Sequence, residues 1–183
     1  MIVLGIDPGS INTGWALLKS SGNKVSYIAS GVLSFDSKKE FLLRLSEIKV
    51  KMDLLVTELN PTDIAFESLI YVKSPTSLIK LAQTRGILLS SLVEKYSGSI
   101  YEYSPNLIKS TAVGHGHADK QSVRKFLDMV IGKIDYKTHD ESDAAAIALC
   151  HIINKGKASS VKKNSAKTSK GLASSLAHKV GHK

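Results

Sequence analysis

The chain opens Met1-Ile2-Val3-Leu4-Gly5-Ile6-Asp7-Pro8-Gly9-Ser10. Ile2, Val3, Leu4 and Ile6 form a short apolar, β-favouring run, the pattern of a strand covered on both faces. That run ends on an acid, and the chain then turns on Pro-Gly. A carboxylate at the end of a buried strand is costly unless a cation meets it. No Lys or Arg follows until Lys19, which makes a metal ion one candidate partner. A plain Asp-Pro-Gly turn, with Asp7 bonding the next backbone amides, is the other reading.

Downstream the pattern alternates in a way that specifies an α/β plan. Thr13 to Lys19 reads as a second strand. Ser20-Ser21-Gly22-Asn23 is a turn cluster, and Val25 to Phe35 reads as a third strand broken at Gly31. Phe41, Leu45, Ile48, Met52, Leu55 and Leu59 then recur at helical spacing, up to Asn60-Pro61. Thr62 to Phe66 returns as a short strand followed by Glu67. Ser74-Pro75 has the cap-then-proline signature of a helix start, with apolar positions running to about Tyr96.

Ser99 to Tyr103 supplies a fifth strand. A short helix from Pro105, the loop Gly114-His115-Gly116-His117, and a helix capped by Asp119 follow. Thr138-His139-Asp140-Glu141 is a capping-box pattern, in which Glu141 is expected to turn back on the helix start. Asp140 and Asp143 lie three apart near that start, and Ala144 to Leu149 is small enough to lie close to a sheet. Three strands, helix, strand, helix, strand and helices predict a mixed five-stranded sheet flanked by helices. The working crevice of such a sheet lies beyond the carboxyl ends of its strands, where Asp7 and Glu67 arrive.

Four acids, Asp7, Glu67, Asp140 and Asp143, are thus expected to converge. Their mutual repulsion requires protonation or bound cations. An all-oxygen donor set suits Mg²⁺, with Mn²⁺ as substitute, and not zinc. Two such ions about 4 Å apart are the arrangement by which nucleases hydrolyse phosphodiesters.

Charge and composition set the boundaries. At 183 residues with 43% hydrophobic content, the chain suits one domain with a sizeable core. Residues 155–183 hold eight Lys and no acid, leaving 17 basic against 16 acidic groups before them. Residues 1–154 are therefore read as the folded domain and 155–183 as a flexible basic tail, either an arm for a polyanion or a solubilising extension. No targeting signal precedes the first strand and no run spans a bilayer, so a cytoplasmic protein with no membrane partner is expected; the lone Cys150 agrees.

Taken together, Gly5-Ile-Asp7-Pro-Gly-Ser10 with Thr13-Gly14, Phe66-Glu67, Leu81-Ala-Gln83-Thr-Arg85-Gly86, Lys109 with Val113-Gly114 and Lys120, and Asp140-x-x-Asp143-Ala-x-Ala-Ile-Ala resemble the RuvC Holliday-junction resolvases over about residues 1–152. The resemblance implies an RNase H-like fold and a homodimer that nicks four-way DNA junctions symmetrically with Mg²⁺ during recombination and repair. It implies Asp7, Glu67, Asp140 and Asp143 as catalytic metal ligands, Lys109 and Lys120 near the phosphates, and the RuvA–RuvB motor as partner. Tyr71 takes the place of the junction-stacking aromatic with a shift of one residue, or packs at an interface. Lys73, Lys80 and Arg85 either line the DNA path or are solvated helix charges. His115 and His117 are metal-ligand types, zinc ligands on one reading; on the other they belong to a mobile Gly-rich loop that DNA binding can order. A small RuvX-like nuclease acting on structured RNA is the alternative function, and a non-catalytic junction scaffold a third.

Overall fold

A computed structural model describes residues 1–69, 74–113, 119–155 and 159–160. Strands β1 (Ile2–Asp7), β2 (Asn12–Ser21) and β3 (Lys24–Ser34) form an antiparallel meander. Helix α1 (Phe41–Leu59) leads to β4 (Asp63–Glu67), and α2 (Pro75–Tyr96) to β5 (Ile100–Tyr103). Helices α3 (Pro105–Val113), α4 (Lys120–Ile131) and α5 (His139–Asn154) follow. The strand order is β3-β2-β1-β4-β5-β6, with β1, β4 and β5 parallel. The sixth strand, β6 (Ser159–Ser160), adds a two-residue antiparallel edge to the five foreseen. It lies inside the stretch read as a flexible tail.

The helix ends follow from local chemistry. Asn60 adopts a left-handed conformation with φ 41° and donates its N–H to the Val56 carbonyl, closing α1 before Pro61. Ser74 accepts from the Ser77 amide at 3.3 Å, Asp119 from Ser122 at 2.7 Å and Thr138 from Glu141 at 3.3 Å. The capping box at Thr138 is only half made. Glu141 is buried, and its Oε2 accepts from the Ser30 hydroxyl at 2.6 Å, so its carboxylate ties α5 to β3 instead of turning back. The foreseen break at Gly31 is also absent. Gly31 pairs with Trp15 inside β3, and a Cβ there would lie 2.8 Å from the Trp15 ring, so glycine makes room for the indole. The ladder is irregular instead between Leu17 and Leu18.

The sheet separates two cores. Leu4, Ile6, Ile64 and Phe66 pack against α1 and α2, through residues such as Ile48, Met52, Leu88 and Leu92. Val3, Ala16 and Ala65 face α5 and, beyond it, Ile108 of α3 and Leu127 of α4. This alternation decides where the acids go. Side chains switch faces at each step, so Asp7 and Glu67 follow Val3, Gly5 and Ala65 onto the α5 side. The parallel register pairs Ile6 with Phe66, which sets the two acids side by side.

Candidate active site

The loop after β1 is held from two directions. Gly9 N–H donates to Thr13 Oγ1 at 3.3 Å, and the Thr13 hydroxyl returns a bond to the Gly9 carbonyl at 3.1 Å. Arg44, buried on α1, donates to the carbonyls of Ser10 at 2.8 Å, Lys39 at 3.1 Å and Ser37 at 3.4 Å. The turn that follows Asp7 is therefore braced within itself by Thr13 and tied through Arg44 to the loop between β3 and α1.

Glu67 is supported differently. Arg85, buried on α2, donates from Nη1 to the Glu67 carbonyl at 2.8 Å, and its Nη2 lies 2.5 Å from Glu102 Oε1 on β5. Its guanidinium stands 5.2 Å from the Phe66 ring centroid. Arg85, expected either to line the DNA path or to be a solvated helix charge, has a side chain 7% exposed and committed to the inside of the fold.

Helix α5 supplies the remaining acids and lies close to the sheet because glycine and alanine let it. A Cβ on Gly5 would fall 2.7 Å from the Ala148 amide nitrogen, and one on Gly14 would fall 2.8 Å from the Asp140 Cβ. Asp7, Glu67 and Asp143 come together on a cleft of about 280 Å³, which Lys109, Ile108 and Val123 also line. Asp140 is not among the described residues lining that cleft. It sits against Gly14, the residue paired with Asp7, at the cleft's flank.

Among the described residues, no three His, Cys, Asp or Glu side chains stand close enough together to form a ready cage for an ion. The cleft's donors are nonetheless all carboxylate oxygens, without Cys or His, the set a hard divalent cation takes.

The basic candidates divide. Lys109 reaches the cleft. Lys120 opens α4 one turn before the cleft residue Val123. Lys80 is drawn over the Phe41 ring at 5.9 Å. Tyr71, Lys73, His115 and His117 lie outside the described residues.

A second cleft of about 360 Å³, unforeseen from the sequence, shares Val123 and Asp143 with the first and carries Lys125, His139 and Arg124. Arg124 is occupied there: it ion-pairs Asp128 at 3.3 Å, donates to the Ile134 carbonyl and stacks 4.3 Å from the Tyr136 ring. Burial pushes the Tyr136 hydroxyl up to about 12.

Away from both clefts, α5 carries a buried histidine that composition did not single out. His151 Nδ1 lies 2.8 Å from the Tyr103 hydroxyl, and Nε2 lies 3.9 Å from Asp63 Oδ2. Asp63 in turn holds Lys155 at 3.1 Å. Burial is the main cause holding His151 down at about 4; Asp63 opposes it and Lys155 adds to it.

The family model described as crossover junction endodeoxyribonuclease RuvC matches residues 3–151. A protein of that name from Rhizobium johnstonii is 35% identical over 155 residues, covering 84% of this chain and 90% of the relative. One from Orientia tsutsugamushi is 37% identical over 154 residues, covering 84% and 96%. Among solved structures, Thermus thermophilus RuvC in complex with a Holliday junction substrate superposes with a TM-score of 0.78 at 24% identity, covering 87% of this chain and 99% of that one. The yeast mitochondrial Holliday junction resolvase Ydc2 gives 0.62 at 17% identity, covering 81% and 76%. The likeness at this level of identity is one of fold.

Proposed function

The chain belongs to the RuvC family of crossover junction endodeoxyribonucleases, and we propose that its cleft is where one strand of a four-way DNA junction is hydrolysed. The observation that carries this reading is the meeting of Asp7, Glu67 and Asp143 on one cleft beside Lys109. The RuvX-like RNA reading is not supported, because the family spanning residues 3–151 is that of the DNA-junction enzymes.

In this proposal Asp7, Glu67 and Asp143, joined by Asp140 from the flank, hold divalent ions, two Mg²⁺ per site with Mn²⁺ as substitute. The sheet and α5 fix the backbones from which these carboxylates would hold the ions. Such ions would supply an activated water and would draw charge off the leaving oxygen. The protein's own work is to orient and to exclude. β1 and β4 set two carboxylates on neighbouring strands, α5 brings the third across, and Ile108 and Val123 wall the cleft with apolar surface. Lys109 offers a positive charge to the phosphate, lowering the cost of bringing an anion to a ring of acids.

Two equivalent strands of a junction must be cut to release linear duplexes, so the working unit is proposed to be a two-fold homodimer. The RuvA–RuvB motor is its proposed partner, and the cytoplasm its place of work. Among the described residues no helix is long and apolar enough to cross a membrane. Residues 1–154 form the proposed nuclease unit and 155–183 a basic arm that adds salt-sensitive attraction to DNA.

The deciding experiment incubates wild type and Asp7→Asn with a synthetic four-way junction, in Mg²⁺ and in a chelator. Asp7→Asn is expected to bind the junction normally and leave it uncut. Wild-type cleavage by that variant would overturn the site.

A further inference from the structure

Glu67 is the last residue of β4, and β4 has β1 on one side and β5 on the other. The ladder to β5 closes one step later, where Ser68 N–H donates to the Tyr103 carbonyl at 2.8 Å. The Glu67 carbonyl accepts a hydrogen bond from a side chain, Arg85 Nη1 at 2.8 Å. A buried guanidinium is an expensive way to satisfy one carbonyl. Its charge is matched by Glu102, and its face is covered by Phe66, the residue just before Glu67. One planar group thus touches the backbone of Glu67, the ring of its predecessor and the neighbouring strand.

We propose that Arg85, anchored by Glu102, is a positioning residue that fixes the end of β4 so that the Glu67 carboxylate is presented to the cleft at the height of Asp7. Arg85 touches neither substrate nor metal. It acts through the Glu67 peptide, whose orientation sets the direction of the Glu67 side chain. A planar fork holds the carbonyl and the Glu102 carboxylate from two separate nitrogens in fixed geometry, whereas an ammonium is a single point charge on a flexible stem. The inference rests on the reading of Glu67 as a metal ligand.

The test compares Mn²⁺ binding by isothermal titration, without DNA, with the thermal melting of the metal-free protein. The variants are Arg85→Met, Arg85→Lys, Glu102→Gln and Leu88→Ala. Leu88 is a fully buried core residue on the same helix, one turn further on, and has no polar group to offer the Glu67 peptide or Glu102. Loss of groups that orient metal ligands typically weakens metal binding about 10- to 100-fold, so Arg85→Met is expected in that range. Arg85→Lys and Glu102→Gln should fall between it and wild type, and Leu88→Ala should melt earlier with Mn²⁺ affinity unchanged.

Arg85→Met binding Mn²⁺ within twofold of wild type would overturn the inference. So would Leu88→Ala weakening Mn²⁺ as much as Arg85→Met, since the effect would then be general loosening. A Glu67→Gln arm separates the two levels. If Glu67→Gln binds Mn²⁺ normally, the ligand assignment itself fails and the inference falls with it. If Glu67→Gln loses Mn²⁺ while Arg85→Met does not, only the inference fails.

Discussion

Gly14 and Asp140 meet backbone to backbone: a Cβ placed on Gly14 would lie 2.8 Å from the Asp140 Cβ and closer still to its carbonyl oxygen. Gly14 is also the β2 residue in register with Asp7. The helix bearing Asp140 and Asp143 is therefore seated on the strand pair that bears Asp7. Gly14→Ala must push the first turn of α5 away. Overpacking of this kind costs about 1–3 kcal/mol of stability. Misplacing catalytic groups by about 1 Å costs on the order of 10²-fold in rate. A folded Gly14→Ala that cut junctions at the wild-type rate would show that the close seating of α5 is irrelevant to the site.

Metal binding should be visible without any substrate. A ligand that binds only the folded chain stabilises it by about 2.7 kcal/mol at a hundred times its dissociation constant. Millimolar Mn²⁺ is therefore expected to raise the melting temperature of the wild type, and a chelator to reverse the rise. The doubly substituted Asp7→Asn, Asp143→Asn protein should melt at the same temperature with and without Mn²⁺. An undiminished rise in that variant would place the ion elsewhere.

Lys109 shares its cleft with three acids, yet its proposed role is toward DNA. Each phosphate that a protein cation neutralises contributes about −0.9 to the slope of log affinity against log salt. Lys109→Ala should bind a junction more weakly and flatten that slope by about one phosphate. A slope equal to wild type would mean that Lys109 serves only to balance the carboxylates.

Much of this site was legible in the sequence because it is written in two periodicities. The period-two alternation through Val3, Gly5 and Asp7, and through Ala65 and Glu67, puts both acids on one face. Pro75, Asp119 and Thr138 mark their helix starts by local chemistry that tertiary packing had no cause to override. The supporting arginines were harder to read, although a signal existed. Leu78, Leu81, Arg85, Leu88 and Leu92 follow one helical stripe at gaps of three and four, and Phe41, Arg44 and Ile48 do the same. An arginine on an apolar stripe is placed to face inward. Reading it as a surface charge came from its type, and the structure shows that position prevailed. What no local pattern carries is register: that Glu141 would find Ser30, or His151 Tyr103, depends on contacts more than 45 residues apart.

Arg44 offers a direct measure of one inward arginine. It donates to the Ser10 carbonyl in the turn after Asp7 and to the Ser37 and Lys39 carbonyls in the loop between β3 and α1. Arg44→Met keeps the stem and removes the donors, so the two loops lose the buried group that ties them together. The expected loss is about 2–4 kcal/mol, from the cost of unsatisfied polar groups. Chemical denaturation of the metal-free protein measures it, and a loss below about 0.5 kcal/mol would mean that water replaces the guanidinium.

His151 makes stability depend on pH in a window set by its two environments. In the folded chain its Nδ1 shares a hydrogen bond with the Tyr103 hydroxyl, and its Nε2 faces Asp63. Burial keeps the ring neutral down to about pH 4, against an ordinary value of 6.5. Between those values the unfolded chain takes up a proton that the folded chain refuses. Stability is therefore whole above about pH 6.5 and is lost progressively as the pH falls toward 4, by at most about 3 kcal/mol at 1.36 kcal/mol per unit. Gln at this position can still hydrogen-bond Tyr103 but cannot titrate. His151→Gln should thus flatten the fall in unfolding free energy between pH 6.5 and 5. If the variant falls as steeply as wild type there, the proton is taken up elsewhere and the buried imidazole is not the group that sets the acid limit.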